Sequence, residues 1–516
     1  MATVPVLLLL VFDAALFVFA LVRSDSKSSR AETLLLTALF LCSGMPALVY
    51  QIVWQRVLFS IYGVNSQSVA VVVSAFMLGL GLGSLLGGRL SARFPNHGTF
   101  LFACAELGVA AFGLGSLRIF HWFAAFTSGA SLPAVIVYSL LLLLVPTVLM
   151  GATLPLLVEQ LVRTSGSVGN SVSRLYFVNT LGSAIACYLC ATFLLRNYSQ
   201  SGAVAFAAIL NTIVGGTAYV YARRESRTTI PEVATETRAA ASAPVLSIRA
   251  AMLLAGLAGW ISLGYEIAWF RVFAMASGDR APAFALLLST YLAGIAAGSY
   301  LSEQATRHWP AHKTLWLIGG LLCLSGAISV YLPPLISSLL GGNWATFLLP
   351  TRLGQDSYMA SAPLFFLVAA LLGSVLPLLC RLSILPDDLA GRRVSFVYAS
   401  NILGSVLGSL GIGFVLMNFL GLRQVALLLG GVSVIAGGLL LLLTRSTTPR
   451  VPVWVFVLAA LCAVAVPLSW SRYALFYERI IFLERRESKT PFAHIVENRN
   501  GVIAVLSNTA AFGGGV

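Results

Sequence analysis

Apolar runs of about 20 residues recur along nearly the whole chain. They cover residues 33–55, 67–90, 99–119, 133–160, 173–195 and 201–222, then 249–271, 281–302, 313–334, 361–384, 394–416 and 423–444. Each is long enough to cross a hydrocarbon layer roughly 30 Å thick as an α-helix. Two further runs flank this set. Residues 3–22, interrupted by Asp13, carry no basic residue before them and Arg23, Lys27 and Arg30 after them. A cleaved secretory leader has its charge before the run, so an extra helix with its N-terminus outside is predicted. Residues 452–469 form the other run, near the lower length limit for a span and with Pro467 close to its end. Arg223–Ala243 is polar, rich in Thr, Ala and Arg, and reads as a linker. The break at 335–360, with Asn343, Arg352 and Asp356, reads as an external loop. The pattern predicts an all-α polytopic membrane protein of about 14 spans followed by a short β-prone tail.

The chain also repeats itself. SGMPALVYQIVWQRVLFSIYG at Ser43–Gly63 returns as GWISLGYEIAWFRVFAMASG at Gly259–Gly278, placing Tyr50, Trp54 and Arg56 on Tyr265, Trp269 and Arg271 at a constant spacing of 215 residues. The same spacing sets Ser74, Gly79, Gly83 and Ser84 on Ser289, Gly294, Gly298 and Ser299. At a spacing of 222, Gly151 and Pro155 meet Gly373 and Pro377, and Tyr176, Asn179, Gly182 and Ser183 meet Tyr398, Asn401, Gly404 and Ser405. Two separated blocks in register indicate an internal duplication. The units are therefore an N-terminal helix and loop (1–32), a first six-helix repeat (33–222), a cytoplasmic linker (223–248), a second six-helix repeat (249–445), a further helix (446–470) and the tail (471–516). Glycines at every fourth position, as at Gly79, Gly83 and Gly87, allow helices to approach closely in lipid, where no hydrophobic force drives them together.

Composition narrows the class. Of 516 residues, 58% are hydrophobic and 10% charged, against roughly 25% charged in soluble domains. The net charge of +14 does not point to nucleic acid, because the arginines stand singly or in pairs at the ends of apolar runs, as topology signals do. Lys27, Arg30, Arg89, Arg93, Arg163, Arg174, Arg223 and Arg224 fall on one side of the first half; Arg56, Arg118 and Arg196 fall on the other. In the second half Arg307, Lys313, Arg381, Arg392, Arg393, Arg445 and Arg450 mark the richer side. Both parallel repeats thus enter from the cytoplasm and return to it, in an integral plasma (inner) membrane. If 452–469 also spans, the tail lies outside. All seven cysteines sit in apolar segments, and the pair Cys187/Cys190 has neither a second pair nor a nearby histidine. Buried thiols, with no cofactor and no metal, are the expectation.

Ionisable groups inside apolar spans are costly and turn towards the interior. Glu266 stands between Tyr265 and Trp269, and its repeat partner is Gln51. Arg271 follows five residues later, off the same helical face, and is expected at the membrane surface rather than paired with Glu266. Glu106 is the second acid at membrane depth. Asn179 and Asn401, each one turn after Tyr176 and Tyr398, occupy equivalent places. The candidate binding or coupling set is therefore Glu266, Gln51, Glu106, Tyr50, Tyr265, Arg56, Arg271, Asn179 and Asn401. An interior hydrogen-bonding role remains open for the acids, and a packing role for the Tyr/Asn pairs. No catalytic residue is assigned. Pro155 and Pro377 are expected to break the fourth span of each half.

In the tail, RIIFLERRES, FAHIVENRN and GVIAVLSN are β-prone, with an Asn/Gly turn at Asn498–Gly501. The repeated Y-[QE]-x-x-W-x-R, S-x-[FY]-x-x-G-x-x-x-G-S, [TV]-L-P and Y-x-x-N-x-[LI]-G-S blocks over residues 33–445 resemble the membrane region of fused spermidine-synthase-like proteins. Those proteins carry multi-span helices likened to the major facilitator superfamily ahead of a polyamine aminopropyltransferase domain. The tail is similar to the β-rich start of that domain. The resemblance implies a membrane region that anchors, or supplies substrate to, a synthase-type domain whose Rossmann-like part is not in these residues, so that no synthase activity is expected from them. The facilitators' charged loop is matched by Gly87-Gly88-Arg89-Leu90-Ser91-Ala92-Arg93 in its basic residues but has no Asp. The alternative is a facilitator-like transporter of a small cationic or amphiphilic solute. A scaffold without transport is a third reading. The lipid bilayer is the certain partner among these readings, nucleic acid is excluded, and a synthase-like domain or protein and a small solute are the candidates.

Overall fold

The computed structural model describes Leu10, Asp13 and residues 27–62, 66–127, 132–225, 244–277, 282–341, 361–445, 452–481, 492–498, 501–505 and 511–515. The first repeat comprises α1 (Lys27–Tyr62), α2 (Ser66–Arg93), α3 (Gly98–Phe126), α4 (Leu132–Ser165), α5 (Val168–Leu189) and α6 (Ser199–Glu225). The second comprises α7 (Ile248–Ser277), α8 (Pro282–Thr306), α9 (Ala311–Gly341), α10 (Ala362–Gly373 and Val375–Ser383), α11 (Ala390–Leu410) and α12 (Leu422–Arg445). α13 (Val453–Leu468) packs outside the bundle against α9 and α12. Thirteen described helices are long and apolar enough to cross a membrane. Apart from Leu10 and Asp13, the expected run at 3–22 lies outside the described residues, as do most of the linker and 342–360.

The duplication read from the chain is a duplication of packing. α1 packs on α5 as α7 does on α11, α2 on α4 as α8 on α10, and α3 on α6 as α9 on α12. The halves meet through two equivalent contacts, α2 with α11 and α5 with α8. Matched glycines set these distances. A methyl on Gly83 would be driven into the Val148 carbonyl, and one on Gly298 into the Ala370 carbonyl at the corresponding crossing of α8 and α10. The repeated aromatics are core: Tyr50 stacks on Trp54 (4.9 Å, 17°) and Tyr265 on Trp269 (5.3 Å, 19°). Trp54 Nε1 donates to Ser116 Oγ at 3.0 Å, so its one polar atom is satisfied.

At the inner ends the halves are joined by hydrogen bonds in matched positions. Ser84 Oγ donates to the Ser395 carbonyl (3.3 Å) and Ser173 Oγ to the Ser299 carbonyl (2.8 Å). Glu159 of α4 accepts from the Gly391 amide at 2.7 Å, one of the orphan N–H groups that open α11. Its repeat counterpart is Arg381, which donates from Nη1 to the Thr306 carbonyl (2.7 Å) and from Nη2 to those of Arg307 (3.2 Å) and Trp309 (3.1 Å), at the end of α8.

Three local expectations are corrected. α4 is continuous across Pro155, whereas α10 is interrupted at Ser374, where the ring of Pro377 crowds the preceding turn. There Ser374 Oγ donates to the carbonyls of Ala370 (2.8 Å) and Gly298 (3.0 Å). α9 runs on past Pro333 and Pro334 to Gly341. The Val330 carbonyl, which the ring of Pro334 leaves without a helical donor, accepts from Tyr473 Oη at 2.9 Å. Finally, RIIFLERRES does not begin as a strand. Residues Phe476–Ile481 form a short helix, α14, because Phe476 and Ile480, one turn apart, both insert into the main core. The remainder of the tail is an antiparallel sheet in the order β1 (His494–Asn498), β2 (Gly501–Val505), β3 (Ala511–Gly515).

Gly298→Ala is expected to destabilise the protein by about 1–3 kcal/mol through overpacking. Gly320→Ala, where a methyl meets nothing within 4 Å, is expected to be neutral. Thermal unfolding in detergent compares the two, and equal melting temperatures would contradict the close-approach account.

Candidate functional site

The two halves enclose a cavity of about 200 Å³ between them. A water molecule needs roughly 10–15 Å³ on the same measure, so the space suits a solute on the order of ten heavy atoms. Helices from both repeats line it. The first repeat supplies Gln51 (α1), Glu106 (α3), and Tyr176 and Asn179 (α5); the second supplies Glu266 (α7), Tyr291 (α8), and Tyr398 and Asn401 (α11). Tyr176 and Tyr398, partners in the repeat, meet edge to face with ring centroids 6.4 Å apart.

The two acids differ in their surroundings. Glu106 is 2% exposed and each of its oxygens accepts from a neutral donor: Ser43 Oγ reaches Oε1 at 2.5 Å and Asn211 Nδ2 reaches Oε2 at 2.6 Å. It cross-links α1, α3 and α6. Glu266 is 8% exposed and has no hydrogen-bond or ion-pair partner among the described residues, although it borders the cavity. Its neighbourhood is held still around it. One turn before, Ser262 and Tyr291 are joined through their hydroxyls, and Tyr291 Oη also donates to the Ser262 carbonyl at 2.8 Å. Trp269 meets Tyr291 edge to face at 6.1 Å. Asn401 Nδ2 donates to the Ala255 carbonyl at 2.9 Å. Among the described lining residues there is no arginine, lysine or histidine.

Of the candidates read from the sequence, Gln51, Glu106, Glu266, Asn179 and Asn401 border this one cavity. Tyr50 and Tyr265 are fully buried in the aromatic stacks behind it. Arg56 lies half-buried towards the outer end of α1. Arg271 is not at a water-exposed surface: it is 5% exposed and turned towards the tail. Cys187 and Cys190 are buried free thiols, and no cluster of metal-ligating side chains occurs among the described residues. Sequence reasoning passed over Ser43, Asn211, Ser262 and Tyr291. Asn211, a lone amide in an apolar run, carried the same signal as Glu106; the hydroxyls carried none.

No family model matches the sequence. In overall shape the chain is similar to the proton:xylose symporter XylE bound to 6-bromo-6-deoxy-D-glucose, with a TM-score of 0.53 at 14% identity over 81% of this chain and 95% of that one. It is likewise similar to the transporter FucP in its outward conformation, with a TM-score of 0.52 at 15% identity over 82% and 100%. The fold is that of the major facilitator superfamily. By sequence the chain is similar to polyamine aminopropyltransferase 1 of Streptomyces coelicolor, 30% identical over 195 residues, which is 37% of this chain and 34% of that protein. It is also similar to the polyamine aminopropyltransferase of Mycobacterium tuberculosis, 29% identical over 245 residues, 46% and 43% of the two. The matched region thus spans about a third to two fifths of these curated relatives. The cavity lies where the facilitator fold brings its two parallel repeats together.

Asn211→Leu leaves one oxygen of a buried carboxylate without its donor and is expected to cost about 1–3 kcal/mol of stability. Melting in detergent measures it; an unchanged midpoint would mean that Glu106 does not depend on this bond.

Proposed function

We propose that this protein is a facilitator-type carrier that binds a small cationic solute between its halves, with Glu266 as the principal anionic contact and Glu106 as a second, pre-organised one. The observation that carries this reading is the Glu266 carboxylate, unpartnered among the described residues, beside a cavity whose described lining holds a second acid and no base. A buried carboxylate without a counter-charge is costly in a low-dielectric interior. An ammonium group entering the cavity would supply that charge and would be met by hydroxyls and amides on the other walls. The pseudo-twofold arrangement supports access from alternate sides by rocking of one repeat against the other. Residue roles then follow: Gln51 offers an amide where the second half offers a carboxylate, and Asn179 and Asn401 offer polar contacts from the two inter-half helices.

The resemblance to aminopropyltransferases directs the choice of solute. Those relatives are named for chemistry on polyamines, and a di- or polyamine of extended, narrow shape fits an acidic, tyrosine-walled cavity. A second reading rests on the same relatives and on the tail sheet: the helices serve as a platform that anchors or feeds a synthase-type domain in the inner membrane. The two readings are compatible, since a carrier for an amine could supply the enzyme that uses it.

Reconstituted in sealed liposomes, the protein is expected to exchange labelled putrescine or spermidine across the bilayer. Glu266→Gln should weaken binding by about 2–5 kcal/mol, more than tenfold in affinity, and abolish measurable flux. Undiminished flux in that variant, or no binding of any amine by the intact protein, would remove the carrier reading and leave the platform.

A further inference from the structure

Arg271 is the repeat counterpart of Arg56, but its contacts lie outside the cavity. From the outer end of α7 its Nη2 donates to the main-chain carbonyls of Asn498 (2.5 Å) and Gly501 (2.7 Å), the residues on either side of the β1–β2 turn. Glu497 of β1 lies 4.0 Å from Arg271 Nε and accepts from the Leu422 amide at 2.7 Å, at the first residue of α12. A carboxylate there satisfies an orphan N–H group and faces the positive end of the helix. Two further bonds tie α14 into the same assembly. Glu478 accepts from the Phe492 amide at 3.1 Å, and Arg479 Nη1 donates to Ser338 Oγ of α9 at 3.1 Å. One folded tail therefore bridges the outer ends of α7, α9 and α12.

Its side of the membrane follows from helix parity. α7 starts after the linker and α12 returns to the same face, so the end of α7 and the start of α12 lie opposite the linker. The linker face carries Arg89, Arg93, Arg163, Arg223, Arg224, Arg249, Arg392 and Arg393, the cytoplasmic signature. We propose that the tail is a clamp on the non-cytoplasmic face that holds the outer ends of α7, α9 and α12 as one body, and that Arg271 is its positioning residue. The planar fork of arginine serves this role because one guanidinium nitrogen bonds two carbonyls while the remainder of the group stays beside Glu497. Arg271 stands five residues, roughly 7.5 Å along the helix axis, from Glu266, so the clamp grips the stretch of α7 that carries the cavity's free acid.

Hydrogen exchange on the purified full chain reads the clamp directly, because local opening is reported amide by amide. Arg271→Gln is expected to speed exchange in β1, β2 and the first turn of α12 by about tenfold, as suits the loss of charge-assisted bonds. The first turn of α11, capped by Glu159, should stay unchanged. Arg271→Lys should fall between the two. Glu497→Gln leaves the bundle's own charges in place and should expose the same segments, which separates the clamp from a general folding defect. Wild-type protection of the tail in both the Arg271→Gln and Glu497→Gln variants would overturn the proposal. The side is read by Val496→Cys, at an exposed position of β1, with a membrane-impermeant maleimide on intact cells. Labelling before permeabilisation is expected; labelling only afterwards would overturn the placement.

Discussion

A lipid interior supplies no hydrogen-bond partner, so each backbone polar group in this protein has to find one inside the chain. Continuous helices answer most of that demand. The interesting residues answer the rest, at helix starts, helix ends and prolines. Glu159 takes the amide of Gly391 where α11 begins, and Glu497 takes that of Leu422 where α12 begins. Arg381 covers the last carbonyl of α8 and two just beyond it, and Tyr473 covers the Val330 carbonyl exposed by Pro334. Glu159 and Arg381 occupy the same place in the two repeats with opposite charge. Each matches the helix end it meets, anion at an N-terminus and cation at a C-terminus.

The same economy explains why two copies of one six-helix unit hold together. Small residues bring backbones close enough for serine hydroxyls to reach carbonyls on the next helix, as in the matched Ser84–Ser395 and Ser173–Ser299 contacts. These bonds close the inner ends of the halves while the middle stays open as the cavity. Where the repeats keep their symmetry they build structure: paired glycines, stacked Tyr/Trp, and edge-to-face Tyr176 and Tyr398. Where they depart from it, chemistry collects. Gln51 stands in the first repeat where the second has Glu266, and α3 and α6 are joined by the Glu106–Asn211 bond where α9 and α12 have Ser325 and Ser433, 3.3 Å apart.

Arg56 and Arg271 show how a duplicated residue acquires separate surroundings. Both lie near the end of the first helix of a repeat, and the folded tail lies over Arg271. The tail in turn adds its own bonds to the outer ends of α7, α9 and α12.

Long apolar runs and the double register at 215 and 222 residues were enough to specify a two-repeat, multi-span helical protein. Those signals are local and periodic, because the hydrocarbon layer imposes length and polarity on every span independently of its neighbours. Glu266 and Glu106 were legible for the same reason: an acid in an apolar run stands out before any contact is known. Which polar residues share a cavity was decided by the pairing of α2 with α11 and α5 with α8, a long-range matter that no single run encodes. The fate of Arg271 was also tertiary, since its partners are main-chain carbonyls more than 220 residues away. Main-chain atoms carry no side-chain signature, so only the folded tail could reveal that bond.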